Sequence, residues 1–245
     1  MERKICQLII FAAFMQMTAF AQTDRAIYQA YVNGDMQSWK SRMDFLEKQS
    51  DKSNAEMLDL VNYQHGYIAW CIDQGRKEEA KKYIKKSEDH LAHLEKKKYR
   101  MPQVYAYKAA YIGFEIAIAR HKAPFIGPES REHAKQSVRL DPKNVLGYVQ
   151  LGNIEYYTPP IAGGSKTIAM QHYLNALRIM EQDENMISGN WNYLNLLATI
   201  INAYIETEQY QKALHYCEKT LSFEPDFDWV KNTLCPIVKN KGKYE

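Results

Sequence analysis

Apolar residues recur at helical spacing in the last third of the chain. They form one stripe on each of two predicted helices, and the small Ala213 lies where the two helices would cross closely. Proline cannot continue a helix, so Pro225 ends the second one. The positions that carry the pattern are Leu197, Ile200, Ile201, Tyr204, Ala213, Tyr216, Cys217 and Pro225. Two short helices cannot bury these faces alone, so the pattern predicts helix pairs that stack on one another.

Residues that usually begin or end helices divide the rest of the chain in a similar way. Gly34 and Gly75 are expected to end helices, and Asp35 is the expected N-cap of the helix that follows it. An apolar face over 226–240 predicts a final capping helix, which Pro236 should bend or end early. The predicted pairs are 23–49, 55–97, 102–142, 143–181 and 190–225, of which the last two are the clearest.

The pair at 102–142 contains several helix-breaking residues. Its helices are predicted over 102–120 and 129–140. Pro124, Gly127 and Pro128 fall between them, and proline and glycine clusters usually mark loops. We therefore expect a connecting loop there.

The pair at 143–181 has the spacing of a known repeat. Tyr148, Leu151 and Gly152 give an aromatic, Leu-Gly pattern, Ala176 holds the small position of the next helix, and Pro142 closes the preceding pair. This pattern resembles the tetratricopeptide repeat (TPR), a helix pair of about 34 residues. The resemblance implies an all-α, right-handed TPR-like solenoid of about five antiparallel helix pairs plus a C-terminal capping helix. It also implies a protein that binds other proteins and is not an enzyme.

The loop from Thr158 to Ser165 lengthens one of the repeats. Its Pro-x-x-x-Gly-Gly stretch is similar to an insertion in exported bacterial members of the family. The following Gly-Ser-Lys-Thr is not a phosphate-binding loop, because Ser165 separates Gly164 from Lys166 and no strand precedes it. Ser165 is instead expected to cap the next helix.

In TPR proteins the first helix of each pair lines a concave groove. The groove-binding residues that the resemblance implies are Asn62, His65, Asn153, Tyr156, Tyr157, Asn195, Asn202 and Glu206. Asparagine offers a donor and an acceptor to a peptide backbone, and tyrosine adds flat amphipathic area. Alternatively, Tyr156 and Tyr157 pack the following loop against the helix. Val149 and Ala198 occupy groove positions where some members carry basic residues, so a clamp for a terminal carboxylate is not expected.

The start of the chain resembles a secretory leader. Glu2, Arg3 and Lys4 precede an apolar run, and Ala19 and Ala21 form an A-x-A-like cleavage site. The run is shorter than a spanning helix needs, which disfavours an uncleaved anchor. We expect residues 1–21 to be a signal peptide and the mature chain, 22–245, to be periplasmic or secreted, with no transmembrane segment.

Charge excludes one class of partner. The chain has 32 Lys and Arg against 29 Asp and Glu, a near-balance that argues against a dedicated nucleic-acid surface. The strongest basic cluster lies between Lys81 and Arg100, where acidic residues are interleaved at helical spacing. A solvated helix face explains this cluster better than an anionic partner surface, although acidic lipids or envelope polymers stay open as alternatives.

Three cysteines follow the leader, so complete internal pairing is impossible in the mature chain. Cys71 and Cys217 lie on helical stripes, which favours small buried apolar residues. A bridge between Cys217 and Cys235 needs the final helix to fold back over the preceding one, and the sequence leaves this open.

Catalytic and metal motifs are weak. His90 and His93 lie three apart on one helix, but a structural zinc site needs further ligands that are not close in sequence. No nucleophile elbow or zinc-protease motif occurs. The sequence predicts no catalytic residue, no metal and no cofactor.

Two functions remain. The favoured one is a non-catalytic protein- or peptide-binding adaptor or scaffold of the cell envelope or extracellular space. The alternative is a small-ligand-binding or transport accessory protein with a cavity between its helical repeats. A peptide groove should be open and polar-rimmed, whereas a cavity should be enclosed and apolar.

Overall fold

The computed structural model describes residues 24–242, so the predicted leader lies outside the described residues. Within that range the protein is all-α, and its eleven helices pack in consecutive pairs. No helix in this part of the chain is long and apolar enough to cross a membrane. The helices are α1 (24–32), α2 (Met36–Glu47), α3 (Asn54–Asp73), α4 (Lys77–Lys96), α5 (Met101–Ile118), α6 (Ala123–Leu140), α7 (Val145–Tyr157), α8 (Lys166–Met180), α9 (Trp191–Glu206), α10 (Tyr210–Phe223) and α11 (Cys235–Lys241).

Local signals set most helix ends. Asp35 and Ser165 cap α2 and α8 as predicted, each accepting a hydrogen bond from the backbone N–H three residues later. Ser53 and Glu56 form a reciprocal capping box at the start of α3. Gly34 and Gly75 follow α1 and α3 with φ of +67° and +69°, the left-handed conformation that glycine adopts at low cost.

The loop predicted around Pro124 and Pro128 is helical, so that prediction was wrong. Helix α6 begins at Ala123 and contains both prolines. Pro124 lies in the first turn, where a missing N–H costs nothing because that group has no partner within the helix. Only Pro128 removes an internal hydrogen bond, and α6 continues past it to Leu140.

Small residues allow the paired helices to approach closely. Ala80, Ala176 and Ala213 are fully buried between helices. A Cβ on Gly152 would lie only 2.4 Å from Cε1 of Tyr173, so α7 and α8 can cross at this distance only because residue 152 has no side chain. The Leu-Gly spacing of the sequence therefore has a direct packing cause.

The first helix also contacts the far end of the chain. Tyr28 Oη donates to Glu224 Oε2 at 2.7 Å, and Tyr31 Oη donates to Asn195 Oδ1 at 2.9 Å. The Tyr31 ring packs 5.2 Å from that of Phe227. We call these five residues the closing contact. An open solenoid repeat touches only its neighbours, so the closing contact turns the stack into a closed body.

Helix α9 is extensively buried, and one stripe of polar residues interrupts its apolar surface. Its first residue, Trp191, packs edge-to-face on Trp39 at 5.0 Å. Trp39 in turn donates its indole N–H to the Tyr63 carbonyl at 3.1 Å. Both indoles lie against Gly66 of α3, where a Cβ would be 2.8 Å from each ring. Gly66 provides the space that Trp39 occupies.

The chain after α10 forms the expected cap. Helix resumes at residue 228, widens into a π turn over Val230–Leu234 and continues as α11 past Pro236. The segment buries its own apolar side chains, which are Phe227, Val230, Leu234 and Val238. The helix does not end at Pro236, which lies in the first turn of α11 directly after the π turn.

Gly66→Ala should destabilise the protein. Alanine favours helix by ~1 kcal/mol, but overpacking of two buried indoles costs ~1–3 kcal/mol, so we expect a net loss of up to about 2 kcal/mol in the free energy of unfolding. Gly113→Ala in α5 is the matched control, because its Cβ would meet nothing within 4 Å. The control should gain about 0.5–1 kcal/mol. Urea unfolding measures both, and equal gains would contradict the packing described around Gly66.

Candidate binding surfaces

The predicted groove residues lie on α3, α7 and α9 and fall into two groups. The central group is Asn62, His65 and Asn195, next to the closing contact. The second group lies at the ends of α7 and α9 and consists of Asn153, Tyr156, Tyr157 and Glu206. Asn202 is half-buried on α9 between them, and Ala198, expected on the groove wall, is fully buried.

Side chains of the central group join helices to each other. Asn62 Oδ1 accepts a hydrogen bond from Tyr107 Oη of α5 at 3.0 Å. Asn195 Oδ1 accepts the hydrogen bond from Tyr31 Oη described above. His65 is 9% exposed, and its ring packs 5.2 Å from Phe114 and 5.8 Å from Tyr107. The amide oxygens that were expected to meet a peptide here accept hydrogen bonds from tyrosines of the same chain.

Two buried polar atoms, one in this group and one beside it, have no hydrogen-bond partner within residues 24–242. They are Nδ1 of His65 and Nε1 of Trp191, whose rings lie 6.5 Å apart. Burial lowers the pKa of His65 from 6.5 to about 4, so its ring is neutral at pH 7. Neither atom reaches the surface, so the pair contributes to the core and does not offer a ligand contact.

The second group is partly engaged inside the fold. Asn153 Oδ1 accepts from Tyr173 Oη at 2.8 Å, and its Nδ2 donates to Gln150 Oε1 at 3.3 Å. Both sides of this amide are therefore used within the pair α7–α8. Asn153 stays a predicted binding residue, but its replacement would also disturb packing.

Tyr156 and Glu206 form a small polar cluster with Lys166. Lys166 Nζ lies 3.0 Å from Glu206 Oε2 and 5.1 Å from the centre of the Tyr156 ring. Tyr156 Oη has no partner with hydrogen-bonding geometry among the described residues, yet the nearby phenol lowers the pKa of the Glu206 carboxyl. The cluster links the start of α8 to the end of α9 at the surface.

A set of exposed apolar side chains follows Tyr156 in the chain. Tyr157 is 78% exposed and Ile161 is 99% exposed. Pro159, Pro160 and Ile168 are also exposed. We call Tyr157, Pro159, Pro160, Ile161 and Ile168 the apolar edge. Only Tyr157 was predicted as a binding residue, although the nearly uninterrupted apolar run through Ile161 in a proline-rich turn was a signal for the rest.

A further exposed aromatic residue lies at the same end of the array. Phe125, in the first turn of α6, is 81% exposed. Arg131 in the middle of α6 pairs with Glu155 near the end of α7, and Ser137 further along α6 lies against Gly147 near the start of α7. The two helices therefore run antiparallel, and the first turn of α6 extends past the end of α7. Phe125 was missed because residues 123–128 were predicted to be a loop.

Some members of the basic and histidine clusters pair with acids. Lys81 lies 2.6 Å from Glu78, and His90 Nε2 lies 3.2 Å from Glu47 Oε2 on α2. The same carboxylate accepts from Gln64 Nε2 at 2.6 Å. In the described range no group of three or more His, Cys, Asp or Glu is arranged to hold a metal ion.

No protein-family model matches this chain, and no curated protein is significantly similar to it. The likeness to TPR proteins therefore stays a resemblance carried by the residues named above.

Stability should fall in acid because of His65. The unfolded chain protonates this residue near pH 6.5, whereas the folded protein keeps it neutral down to about pH 4. Stability present above pH 6.5 is thus lost as the pH falls through this window, by on the order of 3 kcal/mol at ~1.4 kcal/mol per pH unit.

His65→Phe keeps an aromatic ring at this position and removes the titratable imidazole. The unfolding free energy of the variant should therefore depend less on pH between 7 and 4. Denaturant unfolding of both proteins at a series of pH values gives the difference. Comparing the two removes contributions from other groups, such as Asp59, whose pKa burial raises to about 6. Parallel pH profiles would show that His65 is not held neutral.

Proposed function

We propose that this protein is a non-catalytic, TPR-like adaptor or scaffold of the cell envelope or extracellular space that binds a protein or peptide. The observation that carries the proposal is the apolar edge. Large apolar side chains that face solvent together mark interaction sites on soluble proteins. The partner should present apolar side chains of its own.

The loop that carries the apolar edge is held in one shape. Backbone N–H groups of Ala162 and Gly164 donate to the Pro159 carbonyl at 2.8 and 3.2 Å, and Ser165 N donates to Glu155 O at 3.0 Å. A Cβ on Gly164 would lie 1.8 Å from the Thr158 carbonyl oxygen, so the turn requires glycine there. A loop that is already ordered loses little entropy on binding, which favours affinity.

Tyr157 is supported from behind. Its ring packs edge-to-face on Tyr156 at 5.1 Å, and Tyr156 lies against the Tyr173 ring at 6.4 Å. A rigid tyrosine on a packed base is a frequent source of binding energy at protein interfaces.

The filled centre favours the adaptor over a small-ligand protein. A ligand cavity between the repeats would need open apolar space, but Trp39 and Trp191 contact each other at Gly66. The Asn62 and Asn195 side chains are likewise occupied by Tyr107 and Tyr31. These contacts direct the proposed binding away from the central groove and toward the outer edge.

The test uses peptides selected by display against the immobilised full chain. The dominant peptides should bind Tyr157→Ser/Ile161→Ser at least ~10-fold more weakly, since each buried apolar side chain contributes ~1.5–3 kcal/mol. Both positions are exposed, so the melting temperature should hardly change. Titration by fluorescence anisotropy gives the dissociation constants.

Phe45→Ser is the matched control, because Phe45 is an exposed apolar residue on α2, away from the apolar edge. It should leave peptide affinity unchanged. Asn153→Ala/Asn202→Ala tests the groove predicted from the sequence. Unchanged binding by the edge variant, together with loss in the groove variant, would reject the apolar edge as the binding surface.

A further inference from the structure

Cys217 and Cys235 come together where the cap packs on the last helix pair. Cys217 lies on α10 and Cys235 begins α11, and the two helices are in contact. The residues are only 1% and 3% exposed. Gly242 follows α11 and lies beside Tyr210 at the start of α10, where a Cβ on the glycine would be 3.4 Å from Tyr210 Cβ. The two helices therefore run antiparallel, and Cys235 at the start of α11 falls opposite Cys217. The third described cysteine, Cys71, is buried on α3.

We propose that Cys217 and Cys235 form a disulfide that fastens the cap to α10 when the chain folds in the presence of a disulfide oxidant. The antiparallel contact of α10 and α11 brings the two buried residues to the same level of the helix pair, which is the first requirement for a disulfide. The final helix folds back over α10. Pairing of the two cysteines requires this arrangement, which the sequence alone left open.

The position of this bond gives it a role in the fold. The segment between the two cysteines includes Glu224 and Phe227, which receive Tyr28 and Tyr31 of α1. A cross-link at the ends of this segment restricts its unfolded conformations. The disulfide would therefore hold Glu224 and Phe227 in the position where α1 contacts them.

The chemistry is thiol–disulfide exchange with a small disulfide such as oxidised glutathione. The thiolate of one cysteine attacks the oxidant, forming a mixed disulfide and releasing one glutathione thiol. The second cysteine loses its proton and attacks the mixed disulfide, which releases the second thiol. Two protein thiols thus lose two protons and two electrons, and the oxidant's S–S bond takes up the electrons.

The surroundings favour Cys235 as the first nucleophile. The hydrogen bond from the Cys217 thiol and the charge of Lys239, one turn further along α11, lower the pKa of Cys235. Desolvation and Glu218 act in the opposite direction. Because both sulfurs are buried in the folded protein, the exchange should occur during folding.

The test refolds the full chain in a buffer of oxidised and reduced glutathione, blocks free thiols in denaturant and digests with trypsin without reduction. The expected product is peptide 213–219 joined to peptide 232–239, with two hydrogens fewer than the separate peptides. A reducing agent should release both peptides. Recovery of both as singly blocked peptides after oxidative refolding would overturn the proposal.

Variants separate the bond from ordinary packing. Cys71→Ala should keep the linked peptide, and Cys235→Ala should lose it. Reduction should lower the melting temperature of Cys71→Ala by on the order of 5 °C and leave that of Cys235→Ala unchanged. A linked peptide with no effect of reduction on the melting temperature would contradict the proposed role of the bond in holding the cap.

Discussion

Packing between the two ends of the described chain is the interaction on which the rest of the structure depends. Tyr31 of α1 lies 5.9 Å from Trp39, 5.5 Å from Trp191 and 5.2 Å from Phe227. Each such aromatic pair adds about 0.5–1.5 kcal/mol beyond the area that it buries. Helix pairs that would otherwise touch only their neighbours are thereby joined across the array.

The contacts at the centre bear on where the proposed partner would bind. Asn195 of α9 and Asn62 of α3 accept hydrogen bonds from Tyr31 and Tyr107 of the same chain. The side of the array that carries the turn between α7 and α8 is not enclosed, and Tyr157 and Ile161 project from it. A TPR-like protein is expected to bind in its groove, but in this chain the contacts of the groove residues make the outer edge the stronger candidate.

The sequence predicted those features that depend on neighbouring residues. Asp35, Ser165, Gly34 and Gly75 act on the nearest turn of backbone, and all four take the expected place at a helix end. Prolines were misread where their position within the helix mattered more than their identity, as Pro124 shows in the first turn of α6.

Contacts between distant residues could not be predicted in this way. Tyr28 and Glu224 are joined only by the folded path of the whole chain, and no spacing rule connects them. Asn195 was predicted to contact a peptide, and its hydrogen bond with Tyr31 was missed for the same reason. Trp39 fits against α3 only because Gly66 has no side chain, and no spacing rule connects these two residues on different helices.

Amide hydrogen exchange of Phe227→Ala tests the closure most directly. Phe227 is buried in the cap, so its loss should speed exchange in α1, residues 24–32, as well as in the adjoining α10. Leu94→Ala on α4 is a control for general loss of stability, since Leu94 is equally buried but lies outside the closing contact. We predict faster exchange in α1 for Phe227→Ala than for a Leu94→Ala protein of similar stability. Faster exchange confined to α10 and the cap would contradict the account and indicate an open array of helix pairs.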